Sequence, residues 1–261
     1  MSTAAAAKGP IRPRTRGPIE LTLEVTLGLV FVSLFAWFVG LLIEVAGSYT
    51  LWKDEGAIQH SRRIVAQDLG YIAAAPRSLL IDDTEAFAKK LIGWVALPYE
   101  RFGLVRLYQR LNAPEGQAAA SGGPEATQKG RKRPFSGLGK ATREVGQVAS
   151  KWIVVSMHVA QDVVLRLSVA LFALPAFALA CIVGTVDGLV RRDLRRWRGG
   201  RESSFVYHHA KRYTGWALTG GFGLYLTWPF GGFNPAYMVL VFTVLVAATL
   251  STTVASFKKY V

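Results

Sequence analysis

Cysteine and histidine are scarce in this sequence, and their scarcity excludes whole classes of site. Cys181 is the single cysteine among 261 residues, so neither an intramolecular disulfide nor a CxxC metal knuckle can form. The four histidines, His60, His158, His208 and His209, include no HExxH zinc motif. The sequence therefore predicts neither a disulfide-stapled fold nor a histidine-rich metal centre, and Cys181 is interpreted as a small apolar residue.

Acidic residues are also few, since 17 Asp and Glu oppose 31 Lys and Arg, which leaves a net charge of +14 and a pI near 10.2. Yet 51% of the residues are hydrophobic, and the mean hydropathy is +0.27. Strongly basic soluble domains are usually rich in polar surface. The high pI and the high hydrophobic content are compatible only if apolar and charged residues occupy separate blocks. The apolar content excludes disorder for most of the chain.

Four apolar blocks are predicted to cross a membrane as helices, because a crossing needs about 20 mostly apolar residues. The first is an uncharged run of 19 residues, longer than the apolar region of a cleaved signal peptide, so it predicts an uncleaved signal anchor. Pro175 predicts a kink in the second block. The third is shorter and rich in glycine. The blocks are residues 25–43, 167–186, 216–230 and 237–256.

The charges beside these blocks predict the orientation, since short positive loops stay in the cytoplasm. The net charge is +3 for residues 1–20, +5 for 187–213 and +2 for 258–261, whereas the turn 231–235 is uncharged. Four crossings bring these three basic regions to one side of the membrane. The predicted organisation is a cytoplasmic N-terminus (1–20), transmembrane helix 1 (21–47), a periplasmic segment (48–166), transmembrane helix 2 (167–186), a cytoplasmic basic loop (187–213), transmembrane helix 3 (214–230), a periplasmic turn (231–235), transmembrane helix 4 (236–257) and a cytoplasmic tail (258–261).

The long segment 48–166 is predicted to be mainly helical. Its apolar residues recur at helical spacing, and few alternating β-branched runs occur, which disfavours a sheet. The acidic stretch 82–85 is typical of a helix start. Residues 112–139 are rich in Ala, Gly, Ser and Pro and predict a mobile loop, after which a helix resumes near Lys140 and continues unbroken into the second crossing. The predicted fold class is an all-α membrane protein with four transmembrane helices and a helical extracytoplasmic segment.

Patterns that approach catalytic or binding motifs are incomplete. Residues 137–140 resemble part of a phosphate-binding loop, but the full motif is absent. Pro134 stands where that motif needs Gly, and Ala141 stands where it needs Ser or Thr. His158 and Asp162 share a helix face, but no third metal ligand accompanies them, so a hydrogen-bonded pair at an interface is predicted. The sequence therefore predicts no enzyme and no catalytic, cofactor-binding or metal-binding residue.

Within the apolar blocks, charge is absent and small residues recur. No charged residue stands at the centre of a predicted crossing, which argues against an ion or proton pathway. Asp162 and Arg166 stand four residues apart near the outer boundary of the second crossing and predict an ion pair. Small residues at every fourth position predict close helix packing. These stripes are Ala176, Ala180, Gly184 and Gly188, and Ala247, Ser251 and Ala255, with Ala217/Gly221 and Thr219/Gly223 as shorter pairs.

The stretch 187–212 holds more basic and aromatic residues than topology requires. One interpretation is a topological signal that also binds anionic lipid headgroups. The sharper one is a docking surface for a cytoplasmic partner, because a topological signal does not need the aromatic and histidine residues at 205–209. Nucleic-acid contact is disfavoured, since no fold-level motif accompanies the charge. The residues predicted to bind a partner or lipid are Arg191, Arg192, Arg195, Arg196, Trp197, Arg201, Phe205, Tyr207, His208, Lys211 and Arg212.

Two runs within this stretch carry a resemblance to a known family. They are DGLVRRDLRR at 187–196 and the run from GRES at 200–203 to KR at 211–212. With the flanking crossings, they resemble an inner-membrane protein family of unknown function encoded in integrating conjugative elements of proteobacteria. The resemblance extends from the first crossing to the C-terminus and is weakest over 112–139. It implies a place among conjugative-transfer genes, often near the coupling ATPase, and supplies no catalytic residues.

Together these observations predict a non-enzymatic inner-membrane accessory component of a conjugative, type IV secretion-like DNA-transfer apparatus. We expect it to dock a cytoplasmic partner through its basic-aromatic loop. The predicted partners are membrane lipids and other proteins of the apparatus, with the coupling ATPase and a second copy of the chain as candidates. The alternative is a small membrane enzyme or transporter of unknown substrate, which would need an intramembrane ionisable cluster or a nucleophile–base pair.

Overall fold

The computed structural model describes residues 17–74, 78–112, 136–199, 209, 212–213, 216, 220–228 and 233–256, with side chains of the fifth helix described from Glu144 onward. Over these residues the protein is all helical and contains no strand, which confirms the predicted fold class. The helices are α1 (Pro18–Thr50), α2 (Ala57–Ala74), α3 (Thr84–Arg101), α4 (Leu104–Asn112), α5 (Ser136–Phe172), α6 (Leu174–Trp197), α7 (residues 220–226) and α8 (Pro235–Ala255).

Four of the described helices are long and apolar enough to span a membrane. They are α1, the Glu144–Phe172 part of α5, α6 and α8. The predicted third crossing, 214–230, lies partly outside the described residues, and its described core forms α7. The molecule is therefore an all-helical membrane protein, but one candidate span lies within a segment that the sequence assigned to the periplasm.

The predicted second crossing is divided between two helices. α5 ends at Phe172 and α6 begins at Leu174, with Pro175 in its first turn. Pro175 has no N–H to donate to the carbonyl of Leu171, so the helical ladder is interrupted at this point. Backbone hydrogen bonds of 3.0 Å still link Ala173 N to Val169 O and Phe177 N to Ala173 O. The predicted kink at Pro175 is thus confirmed, and so is the prediction that the helix continues unbroken into the second crossing, since α5 passes residue 167 and ends at Phe172.

The predicted loop 112–139 lies mostly outside the described residues, because positions 113–135 are not among them. At its C-terminal end, the structure corrects the predicted boundary. α5 begins at Ser136, four residues before Lys140, where the sequence places the resumed helix. Residues 136–139 combine Ser, Gly and Leu, and only the two glycines disfavour a helix there. The mobility predicted for 113–135 remains a prediction.

The long helix α5 is the centre of the N-terminal half of the fold. α2 runs parallel to it, since Ser61 Oγ lies 3.0 Å from His158 Nδ1 and, further along both helices, Asp68 Oδ2 lies 3.1 Å from Arg166 Nε. This parallel direction means that α2 points toward the α5–α6 junction. The connection between α2 and α3 consequently lies at the level where α6 begins.

α3 returns along α5 in the opposite direction. Gln161 Nε2 donates to the carbonyl of Ile92 at 3.4 Å, while Tyr99, later in α3, reaches Ser156, earlier in α5, at 3.3 Å. Apolar side chains from α2, α3 and α5 form the core between these helices, with Leu165 completely buried. α2, α3 and α5 therefore form one packed helical body.

α1 also runs antiparallel to α5 and packs on it only along its C-terminal half. Gly40 faces Val159, and Ala36 shares an apolar cluster with Val163, which lies further along α5. In contrast, every side chain from residue 17 to 31 of α1 is exposed. A helix that is apolar on all faces and exposed is suited to a lipid environment. Because α1 opposes α5 and α6, its N-terminal end points the same way as the C-terminal end of α6.

α6 and α8 form a close parallel pair, as the stripes of small residues predicted. A Cβ added at Gly184 would lie 2.6 Å from the carbonyl oxygen of Ala247, and one at Gly188 would lie 2.7 Å from that of Ser251. No other residue type fits such an approach of two backbones without movement. The predicted packing role of these two stripes is confirmed, and the structure adds that they face each other.

Candidate functional site

We define the basic end of α6 as residues 191–198, which are the last two turns of that helix and its C-cap residue, Arg198. Arg195 and Arg196 stand in the final turn, where positive charge is favourable beside the unsatisfied carbonyls of a helix terminus. Gly199 then adopts a φ of +65°, a left-handed conformation that ends the helix. The sequence therefore forms a basic helix terminus here by local rules.

One face of the basic end is fixed against α8. Asp187 Oδ2 accepts a hydrogen bond from Ser251 Oγ at 2.5 Å and pairs with Arg191 Nε at 2.9 Å. Arg195 donates to the carbonyl oxygen of Ala255, the last residue of α8. That carbonyl is one of the groups that a helix C-terminus leaves without an internal partner. Arg195 thus caps α8 and holds the ends of both helices together.

The other face of the basic end is open to solvent. Trp197 is 91% exposed, and Leu194 is also largely exposed. Arg196 is exposed beside them, while Arg192 is half-buried. The side chains that the sequence treated as one basic cluster therefore separate into a packed group and an exposed group. The exposed group combines the guanidinium of Arg196 and the indole of Trp197, two types enriched at protein interfaces, with the side chain of Leu194.

Only part of the following loop belongs to the described structure. Arg212 is exposed, and its guanidinium lies 5.5 Å from the centre of the Trp216 ring, within range of a cation–π contact. The His209 and Tyr213 ring centres are 6.2 Å apart. The other predicted loop residues lie outside the described residues, and their role stays a prediction. They are Arg201, Phe205, Tyr207, His208 and Lys211.

A buried ionic cluster, centred on Arg166, joins three helices. The predicted pair of Arg166 with Asp162 is confirmed at 3.0 Å, and Arg166 Nε also binds Asp68 at 3.1 Å. The remaining donor group, Nη1, reaches the carbonyl oxygens of Tyr225 at 2.9 Å and Trp228 at 2.5 Å. Sequence reasoning missed Asp68 because it lies 98 positions from Arg166, and only an acidic residue on the apolar side of α2 hinted at it.

The geometry of this cluster explains why a charge can be buried there. The Arg166 side chain is only 4% exposed, and an isolated buried charge is strongly disfavoured. Two carboxylates and two carbonyls that terminate α7 satisfy its planar guanidinium, so the charge is paired and the helix end is capped. The cluster therefore connects α2 and α5 to the end of α7.

A second buried polar contact lies where α1 meets α2. His60 Nδ1 is 2.9 Å from Glu44 Oε1, and the His60 ring stacks on Trp52 with a centroid separation of 3.9 Å. Gly47 provides the space for that indole, because a Cβ there would lie 1.8 Å from a Trp52 ring carbon. These contacts close the turn between the two helices. No sequence motif predicts these contacts.

One prediction about ionisable residues is wrong. His158 and Asp162 do not pair with each other, since His158 contacts Ser61 and Asp162 contacts Arg166. The candidate span Glu144–Phe172 begins before the predicted boundary at 167, so it includes Asp162 and Arg166, which stand outside the predicted crossings. Within the described residues, no group of three metal-ligating side chains forms a candidate metal site.

A comparison with known protein families finds a family model that matches most of the chain. The model of the family described as "IncC plasmid conjugative DNA transfer protein DtrJ-like" matches residues 51–258, a span from before α2 to beyond α8 that includes the basic end and the buried cluster. No curated protein and no solved structure matches the chain. The match confirms the predicted relation to a conjugative-transfer family. The chain belongs to the DtrJ-like family of conjugative DNA transfer proteins.

Proposed function

We propose that this protein is a non-enzymatic inner-membrane accessory component of the conjugative apparatus that docks a cytoplasmic protein partner through the basic end of α6 and the loop that follows. Its family is involved in conjugative DNA transfer. The observation that carries the docking proposal is the exposure of Trp197 beside Arg196 at a helix end that is otherwise fixed by packing.

The helix directions support a cytoplasmic location for the basic end. α6 and α8 end side by side, because Arg195 contacts Ala255, and the N-terminal end of α1 points the same way. Those three ends carry the basic regions 1–20, 187–213 and 258–261. Positively charged flanks remain on the cytoplasmic side. The orientation and the charges thus agree on both termini being cytoplasmic.

Packing separates the docking proposal from a purely topological signal. A topological signal depends on the number of positive charges and not on which face they occupy. Here Arg195 has a structural contact, whereas Arg196 and Trp197 point away from α8 into solvent. Arg and Trp are the residue types most enriched at energetic centres of interfaces. A partner that covers both side chains would remove the exposed indole from water.

The test compares Trp197→Ala and Arg196→Lys with the control Arg63→Lys, whose ion pair with Glu55 lies on α2, outside the basic end of α6. Truncation of an interface anchor costs about 2 kcal/mol, roughly a 30-fold loss of affinity. The Lys variant keeps the charge but loses bidentate geometry. We expect both test variants to lower conjugative transfer frequency while the control does not, at equal protein levels in membrane immunoblots.

Photo-cross-linking identifies what the basic end touches. A photoreactive amino acid in place of Trp197 should yield a cross-linked product with another protein of the transfer apparatus in mating cells. The same substitution at Phe31, an exposed residue of the apolar α1 run, serves as the lipid-facing control. Wild-type transfer by Trp197→Ala and Arg196→Lys, together with lipid-only products at position 197, would reduce the basic end to a topological signal.

One observation favours a transporter as the second candidate. Glu44, Asp68 and Asp162 are ionisable residues buried within or beside candidate spans, and such residues often line ion pathways. In the described structure, however, each of them contacts His60 or Arg166. Asp162→Asn distinguishes the two functions, because a carrier would lose substrate-coupled proton movement in proteoliposomes, whereas a docking component has none to lose.

A further inference from the structure

The connection between α2 and α3 ends in an exposed apolar tip, which we define as residues 78–81. Ser78 anchors it, since its Oγ donates to the carbonyl of Phe172 at 3.3 Å and accepts from the backbone N–H of Leu80 at 3.2 Å. Asp83 then caps α3 by accepting a hydrogen bond from Ala86 N at 2.8 Å. The tip is therefore a defined turn, held at the end of α5.

The side chains at the tip are unusual for a connection between helices. Leu79 is 91% exposed and Leu80 is 53% exposed, at positions where a water-facing turn normally carries polar residues. Removal of a leucine side chain from water is favourable. Two adjacent exposed leucines on a tethered turn therefore indicate a surface that is covered when the protein is in place.

The tip lies beside the first turns of α6 and α8. Leu79 shares a hollow of about 320 Å³ with Pro175 and Pro235, which stand in the first turns of α6 and α8. Both helices are candidate membrane spans, so the tip lies at the depth where two spans begin. A lipid bilayer that surrounds α6 and α8 would also reach the two leucines.

A second hollow on the other side of the α5–α6 junction is level with the tip. It measures about 580 Å³ and brings Phe87 of α3 next to Leu174 of α6 and Leu29 of α1. Leu29 belongs to the uncharged run 25–43. Among the described residues, no charged side chain lines either hollow. A third candidate span thus presents apolar side chains at the same depth.

We infer that the α2–α3 tip is a membrane anchor: Leu79 and Leu80 insert among the lipid acyl chains of the leaflet nearest the α2–α3–α5 body, and acyl chains fill the two hollows beside the α5–α6 junction. Asp82 and Asp83 directly after the tip stay at the polar edge, where Asp83 caps α3. The anchor fixes the helical body against the bilayer. It depends on the membrane-embedded helices and is independent of the docking proposal.

Spin labels measure the depth of the tip directly. In a Cys181→Ser background, which removes the single native cysteine, Leu79→Cys and Leu80→Cys would each carry a nitroxide in nanodiscs of phosphatidylethanolamine and phosphatidylglycerol. Because Leu79 projects into open space, this substitution leaves the packing of the fold intact. Power saturation then compares collisions with oxygen, which concentrates in the bilayer, and with a water-soluble nickel complex.

The two reference positions are Phe31→Cys on the exposed apolar face of α1 and Arg62→Cys on the exposed polar face of α2. We expect both tip labels to resemble the Phe31 label, with greater access to oxygen than to nickel. Greater access to nickel at positions 79 and 80, as at Arg62, would place the tip in water and overturn the inference. Protection from both reagents would overturn it in favour of a protein contact.

Discussion

At the scale of single residues, Arg166 connects α2 and α5 to the end of α7. Its contact with Asp162 follows from the sequence, because residues four apart share one face of a helix. Its contact with Asp68 does not, since the approach of α2 to α5 has no local signature. Its bonds to the carbonyls of Tyr225 and Trp228 depend on where α7 ends.

Replacement of Arg166 should destabilise the protein strongly. Arg166→Met leaves two buried carboxylates without a counter-charge, and breaking such a pair costs about 3–5 kcal/mol. The expected result is a much lower midpoint of thermal unfolding in detergent. Lys89→Met is the control, because its ion pair with Glu85 is largely exposed and contributes little to stability. Equal midpoints for the two variants would show that the cluster does not stabilise the fold.

Gly47 is a second residue that we expect to affect stability, because one neighbouring side chain, Trp52, fills the space beside it. An added Cβ at this position would overlap the Trp52 ring, which stacks on His60. Gly47→Ala should therefore displace the indole and destabilise the protein by about 1–3 kcal/mol, as overpacked sites do. Gly28→Ala is the matched control, since nothing lies within 4 Å of its added Cβ. Unfolding midpoints in detergent that fall by the same amount for both variants would contradict this explanation.

At the scale of elements, the parallel pair α6 and α8 depends on small residues. Each stripe can be recognised in the sequence because its spacing is that of one helix face. Which stripes pair, and in which direction, does not follow from that spacing. The structure pairs 184 with 247 and 188 with 251, and Asp187 with Ser251 between the same helices.

A disulfide cross-link tests this pairing. Asp187 Oδ2 lies 2.5 Å from Ser251 Oγ, so Asp187→Cys and Ser251→Cys in the Cys181→Ser background should bring two thiols close to each other. We expect efficient oxidation to an intramolecular disulfide, seen as a mobility shift on a non-reducing gel. Asp187→Cys with Ala236→Cys is the control, because Ala236 stands at the opposite end of α8. Cross-linking of the control pair in preference would indicate an antiparallel arrangement.

At the scale of the whole molecule, three basic regions and the helix directions support the proposed orientation. A reporter tag after residue 1 and another after residue 261 should both report the cytoplasm, while a tag near Gly122 should report the periplasm. The physical reason is that short positively charged flanks are retained on the cytoplasmic side. Reporter pairs that are active on opposite sides of the membrane give the readout. A cytoplasmic signal at Gly122 would reject the arrangement.

The sequence by itself determined the features that depend on neighbouring positions. Helical periodicity, apolar blocks, Pro175 as a break and the pair Asp162–Arg166 all follow from residues within about one or two turns of each other. The charge difference between the flanks is likewise a property of composition. The relation to conjugative-transfer proteins was also recognisable from the runs between 187 and 212, which lie within the matched residues.

Only the tertiary structure decided which distant residues meet. It brought Asp68 to Arg166, Glu44 to His60 and the α2–α3 tip to the depth of two candidate spans. It also divided the basic cluster into an arginine that caps α8 and an exposed face. The physical reason is that burial and pairing depend on the directions of whole helices, which are set by the sum of many weak packing contacts and have no counterpart in the local pattern of residues.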